Sequence, residues 1–136
     1  MFNNSVTETH AAQIIDAISG KRISCVIAAH TPKDFTWYNG DPKMYNNIME
    51  GKIITKASIF RGIFQIKADK AIILFSEGIV LNFHPEPSER PDTHQLLIEF
   101  EDCSMLSASV QSFGGFWCYN EGEMINPYFG VNAPNI

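Results

Sequence analysis

Ser19-Gly20-Lys21-Arg22-Ile23-Ser24-Cys25-Val26-Ile27 is followed further along the chain by Glu50-Gly51-Lys52-Ile53-Ile54-Thr55-Lys56-Ala57. In both stretches a helix-like segment runs into Gly-Lys and then into a β-rich run. Helices commonly end on a residue in the left-handed conformation, which glycine adopts without a Cβ clash. Gly20 and Gly51 are therefore read as the residues just past two helices. Before Gly20, Ala11, Ile14, Ile15 and Ile18 recur at spacings of three and four, which predicts a helix over 7–18 with Ser5 or Thr7 as its cap. Before Gly51, Asp41-Pro42 places an acid ahead of a first-turn proline and opens a second helix that runs to Met49.

After Lys52 the hydrophobic period changes to two. With the run 22–28, candidate strands are 53–59, 63–68, 71–75, 79–83, 95–101, 105–110 and 113–119. Turn residues separate them, Arg61-Gly62 and Ser76-Glu77-Gly78 among them. The segment 84–93 carries Pro85, Pro87 and Pro91 and reads as a long connection rather than a central strand. The loop 30–40 contains Pro32, Trp37 and Asn39-Gly40. These elements predict a mainly β (α+β) fold, a two-sheet antiparallel β-sandwich flanked by two short helices. The expected domain spans 1–119, with 120–136, rich in Gly, Pro and Asn, as a tail or linker.

The chain has 136 residues, 45% of them hydrophobic and 18% charged, ordinary values for one globular domain. No apolar run approaches the roughly 20 residues of a membrane helix. Cys25, Cys103 and Cys118 are widely spaced and form no CxxC pair. Each lies in an apolar run, so reduced, buried thiols and a cytoplasmic location are expected. The net charge of −5 is unevenly distributed. Residues 21–70 hold nine Lys or Arg against Asp34, Asp41, Glu50 and Asp69, while 71–136 hold only Arg90 against nine acids. A basic half suits an anionic partner and an acidic half a protein partner; a solvated surface of uneven charge is the competing reading.

The helix–Gly-Lys–strand unit, its repeat, the run His94-Gln95-Leu96-Leu97-Ile98-Glu99-Phe100, and Phe113-Gly114 with Trp117 follow one another in a familiar order. From residue 7 to about 119 the chain resembles the N-terminal domain of the formamidopyrimidine-DNA glycosylase and endonuclease VIII family. That resemblance implies DNA repair chemistry, with DNA held in a cleft between this domain and a helical one for which the sequence shows no counterpart. It also identifies what has changed. The family's N-terminal Pro, whose amine attacks the damaged sugar, is Phe2 here. The adjacent Glu that moves a proton is Asn3, and the phosphate-holding Lys after Arg-Gly is Ile63. Of the residues that fill the hole left by a flipped base, only Phe113 remains; Pro87 and Ser112 stand at the other two positions. A core strand aromatic is the competing reading of Phe113.

The resemblance thus implies a glycosylase-like domain that excises no base as this isolated chain. No residue is assigned a confident catalytic role, and no cofactor is expected. Lys52, Lys56, Arg61 and Phe113 are the candidate DNA contacts. The alternative is a non-catalytic module that binds nucleic acid or protein. His84, Glu86, Glu89, Asp92 and His94 contain metal-ligating types, but their spacing defines no geometry, so an exposed acidic loop and no metal site are expected. Phe35, Trp37, Tyr38 and Tyr45 lie near Lys33 and Lys43. They read either as a satellite apolar cluster or as a base-stacking surface.

Overall fold

The structure, a computed structural model, describes residues 4–123, with side chains from Thr9 onward. Helix α1 (Asn4–Ile18) ends against Gly20, at φ +81°. It begins early enough that Ser5 and Thr7 lie inside it instead of capping it. Helix α2 (Tyr45–Met49) is preceded by a 3-10 turn over Pro42–Met44. Asp41 caps that turn by accepting a hydrogen bond from the Lys43 amide, at 3.0 Å.

The strands are β1 (Ile23–Ala28), β2 (Thr36–Tyr38), β3 (Ile54–Phe60), β4 (Ile63–Ala68), β5 (Ala71–Phe75), β6 (Ile79–His84), β7 (Leu96–Phe100), β8 (Met105–Val110) and β9 (Gly114–Asn120). They form a four-stranded sheet, β1-β7-β8-β6, and a five-stranded sheet, β2-β9-β5-β4-β3. The β-sandwich with two short helices is therefore present. One strand departs from expectation. β2 arises within the anticipated loop 30–40 and runs parallel to β9, so the larger sheet is mixed.

Main-core side chains come from both sheets and both helices: Ile14 and Ile18 from α1, Tyr45 and Met49 from α2, and Val26, Ile66, Phe75, Ile98, Leu106 and Phe116 from the strands. α1 packs on β3 and β6, and α2 on β1, β9 and β5. In β5 the side chains alternate between two apolar environments. Ala71, Ile73 and Phe75 join the main core, while Ile72 and Leu74 form a smaller cluster with Trp117. Ile63 and Tyr119 pack against that second cluster. Burial on both faces explains why β5 reads as a continuous hydrophobic run.

The two Gly-Lys units bond to each other. The Ile23 amide donates to the Lys52 carbonyl (2.9 Å), and the Ile54 amide to the Lys21 carbonyl (2.9 Å). The Gly51 amide donates to Ile23 (2.7 Å) and the Gly20 amide to Ile54 (3.1 Å). Arg22 and Ile53 form an antiparallel bridge at the centre, and the Arg22 guanidinium donates to the Gly51 carbonyl at 2.7 Å. This clasp joins the start of β1 in one sheet to the start of β3 in the other.

Cys118 is buried, as expected, and burial raises its pKa to about 12. Cys25 is half-buried. Cys103 contradicts the expectation of a buried thiol. It is exposed at φ +75° in the tight β7–β8 turn, where Asp102 and Ser104 make the local bonds. Among the described residues all three cysteines are free.

Candidate nucleic-acid interface

The β3–β4 hairpin closes through Arg61-Gly62 between the paired residues Phe60 and Ile63. Both turn residues have positive φ, +53° and +82°. A two-residue turn of that hand matches strand twist, and its second position favours glycine. Arg61 is an exposed cation whose guanidinium lies 5.2 Å from the centre of the Phe60 ring, within range of a cation–π contact. Phe60 itself is 53% exposed.

Three neighbouring loops extend this hairpin into a rim. A Cβ on Gly62 would meet the Glu77 side chain at 3.0 Å, so the hairpin turn rests on the β5–β6 turn. A Cβ on Gly78 would meet the Phe113 carbonyl at 2.8 Å, which packs the β5–β6 turn against the β8–β9 turn. Ser76 secures that junction: its amide donates to the Gly115 carbonyl (3.0 Å), and its hydroxyl accepts from the Gly115 amide (2.9 Å). Finally, the Gly114 amide donates to the Phe35 carbonyl at 3.0 Å. Phe60, Arg61, Glu77, Phe113 and Phe35 thus follow one another along one edge.

Two of the expected DNA contacts, Arg61 and Phe113, fall on this rim. β9 begins only at Gly114, and Phe113 is 61% exposed, so the reading as a core strand aromatic is overturned. The other two fall elsewhere. Lys52 is half-buried and donates to the Ile48 carbonyl at 2.6 Å, satisfying the C-terminal end of α2. Lys56 is exposed on β3, the last strand of its sheet, opposite Lys67. There a lysine also discourages pairing with a foreign strand. Lys56 shares the outward face with Phe60, about 13 Å away along the strand. Ile63 is tied to the Ile72–Leu74–Trp117 cluster, where a charged side chain would be poorly accommodated. Phe2 and Asn3 lie outside the described residues, as does the part of the expected tail beyond Glu123.

The aromatic-basic cluster divides in two. Tyr38 stacks on Phe116 (5.2 Å) and donates its hydroxyl to the Gln95 carbonyl (2.7 Å). Tyr45 is buried, and its hydroxyl donates to Asn39 (2.7 Å), with Phe116 carbonyl oxygen at 3.1 Å. Burial pushes the phenol pKa of Tyr45 far up. Both tyrosines are structural. Trp37, 42% exposed, lies over Gly115 with its ring edge toward Trp117, and Phe35 is 75% exposed. The sequence reading missed Phe60 and Glu77 as rim residues. Phe60-Arg61-Gly62, a hairpin signal with an aromatic beside it, was the available clue.

Four of the five metal-ligating types noted in the sequence make other contacts. His84 bonds the Ser107 hydroxyl at 2.8 Å, His94 stacks on His30 at 4.9 Å, and Glu86 and Glu89 form a capping box on the turn Pro87–Glu89. Among the described residues no group of three or more His, Cys, Asp or Glu is arranged to hold a metal ion. Nor is any described helix long and apolar enough to cross a membrane.

Fold and rim together define a class: a helix-flanked β-sandwich with exposed aromatic and basic side chains along one loop edge. The chain has the fold of the N-terminal domain of the formamidopyrimidine-DNA glycosylases. MutM solved in complex with carbocyclic 8-oxo-G containing DNA superposes with a TM-score of 0.69 at 18% identity, over 90% of this chain and 45% of that one. Lactococcus lactis formamidopyrimidine-DNA glycosylase, non-covalently bound to DNA containing an AP site, gives 0.69 at 18% identity, over 90% and 46%. The same Lactococcus lactis protein with FAPY-dG containing DNA gives 0.69 at 18%, over 90% and 45%. This chain spans less than half the length of each. No protein-family model matches the sequence, and no curated protein matches it.

Proposed function

We propose that this is a DNA-binding domain of the DNA glycosylase type, serving base-excision repair, and that it excises no base as this isolated chain. The observation that carries the reading is the rim. Arg61 and Phe113, expected on the sequence to touch DNA, stand exposed on one loop edge of a fold whose structural neighbours were solved bound to damaged DNA. Arg61 supplies a cation for phosphate, and Phe113 an exposed ring for the bases. Phe2 and Asn3 argue against excision on chemical grounds. A primary amine behind a large side chain replaces a secondary one, and an amide that cannot exchange a proton near neutral pH replaces a carboxylate. The cysteines suit a reducing compartment such as the cytoplasm.

The test is duplex binding measured against salt. Log K should fall linearly with log salt, and Arg61→Gln should reduce the slope by about 0.9 for its lost phosphate contact. Lys52→Gln should leave the slope alone and lower stability by about 1 kcal/mol, because its bond is to α2. Borohydride should trap no adduct between this chain and an abasic duplex. Absence of DNA binding, or a slope indifferent to Arg61, would overturn the reading in favour of a protein partner. A trapped adduct would overturn the claim of inactivity.

A further inference from the structure

Phe35 has no evident role in holding the fold together. Its backbone sits at φ +61°, a region that bulky side chains rarely occupy. Its side chain is 75% exposed, so little burial offsets that strain. Strain of this kind persists where the surroundings enforce it, and it concentrates at functional positions. The enforcing contact is visible: the Phe35 carbonyl is fixed by the Gly114 amide at the mouth of the parallel β2–β9 ladder. Phe35 stands one residue before Thr36, and Phe113 one residue before its partner Gly114. The two phenylalanines therefore flank the mouth of one ladder, linked by the bond from the Gly114 amide to the Phe35 carbonyl. Among the described residues neither ring is paired with another aromatic ring, and both residues are largely exposed.

The charges around this pair set the direction of a ligand. Arg61 lies along the rim on one side; on the other, exposed Lys33 and exposed Asp34 precede Phe35 and offset each other in charge. Glu77, between the hairpin and the Phe113 turn, disfavours phosphate at the middle of the rim. Exposed aromatic side chains with a cation farther along the rim suit a strand whose bases meet the rings and whose backbone reaches Arg61. In a duplex, both faces of each base are already covered by stacked neighbours. An unpaired base has a face to offer, and stacking on an aromatic ring tolerates any sequence.

We propose that Phe35, beside Phe113, is a stacking platform for unpaired nucleobases, so that the rim prefers single-stranded or bulged DNA over intact duplex. This rests on the DNA-binding reading above and adds the class of DNA and a residue that reading does not use.

The experiment uses the 136-residue chain and three probes of one sequence carrying 2-aminopurine: a single strand, a perfect duplex, and a duplex with the analogue bulged. The single strand and the bulge should bind about tenfold more tightly than the duplex at equal salt, with 2-aminopurine emission quenched on binding. Phe35→Tyr should retain the preference. Phe35→Asn should abolish it and leave the salt slope unchanged. Because asparagine tolerates positive φ, that variant should also melt no lower than the parent. A purely structural Phe35 would give a lower melting temperature and an unchanged preference, and that result overturns the proposal. Equal binding to all three probes, with an Arg61-dependent slope, overturns this inference alone. No binding to any probe overturns the DNA-binding reading with it.

Discussion

His94 is buried two residues before β7, and among the described residues its Nδ1 has no hydrogen-bond partner. Burial is the largest cause lowering its pKa below the usual 6.5. His30, stacked on it, and Arg90 act in the same direction, and Glu99 opposes them. The folded state therefore favours neutral imidazole. A depressed folded pKa means that the unfolded chain takes up the proton first. The resulting stability is present above about pH 6.5 and is lost as pH falls through the folded value. The melting temperature should thus fall on acidification below about pH 6.5, and His94→Asn should flatten part of that dependence, as calorimetry across pH 7.5 to 5 would show. His84, also depressed by burial, would account for some of the remainder. At this scale the motifs pointed to Arg61 and Phe113, which stand exposed on the rim, and to Lys52, which is half-buried and bonds the Ile48 carbonyl. A lysine that satisfies a helix end and one that waits for phosphate have the same letter, and only the position of the Ile48 carbonyl separates them.

The elements were the more legible level. The apolar pattern locates β3 to β9 within a residue or two at each end, by alternation where one face is more exposed, as in β4, and by a continuous apolar run where both faces are buried, as in β5. β2 escaped for a physical reason. It is three residues long, its side chains are only partly buried, and it owes its existence to a parallel partner in β9, far away in sequence. Side-chain packing across that ladder makes Gly115 a sensitive position. A Cβ there would overlap the Trp37 indole, while Trp37 has an exposed side toward which it can turn. Gly115→Ala should cost about 1–3 kcal/mol, as overpacking does. It should also shift tryptophan emission to the red as Trp37 leaves Trp117. Urea unfolding followed by fluorescence reads both, and an unshifted spectrum would contradict the packing described.

On the scale of the molecule, the clasp between the two Gly-Lys units bears on how the domain opens. The Ile23 and Ile54 amides are bound across it, and both side chains are buried in the core common to the sheets. Hydrogen exchange should place these amides among the slowest, opening with the β5 and β9 amides in one global event. Early release of the pair while β5 stays protected would show that the sheets part independently. The sequence displayed the repeat without revealing that its copies meet, since pairing between them is a matter of topology and not of composition. The clasp lies at the start of β3, and Phe60 and Arg61 lie at its far end. Two of the rim's turns, β5–β6 and β8–β9, cross from one sheet to the other, so any shear between the sheets would pull the rim apart. By pinning the sheets at a distance, Gly20-Lys21 and Gly51-Lys52 keep Arg61, Glu77, Phe113 and Phe35 in fixed relative positions. A partner therefore meets a surface already assembled, and little ordering entropy is lost when it binds.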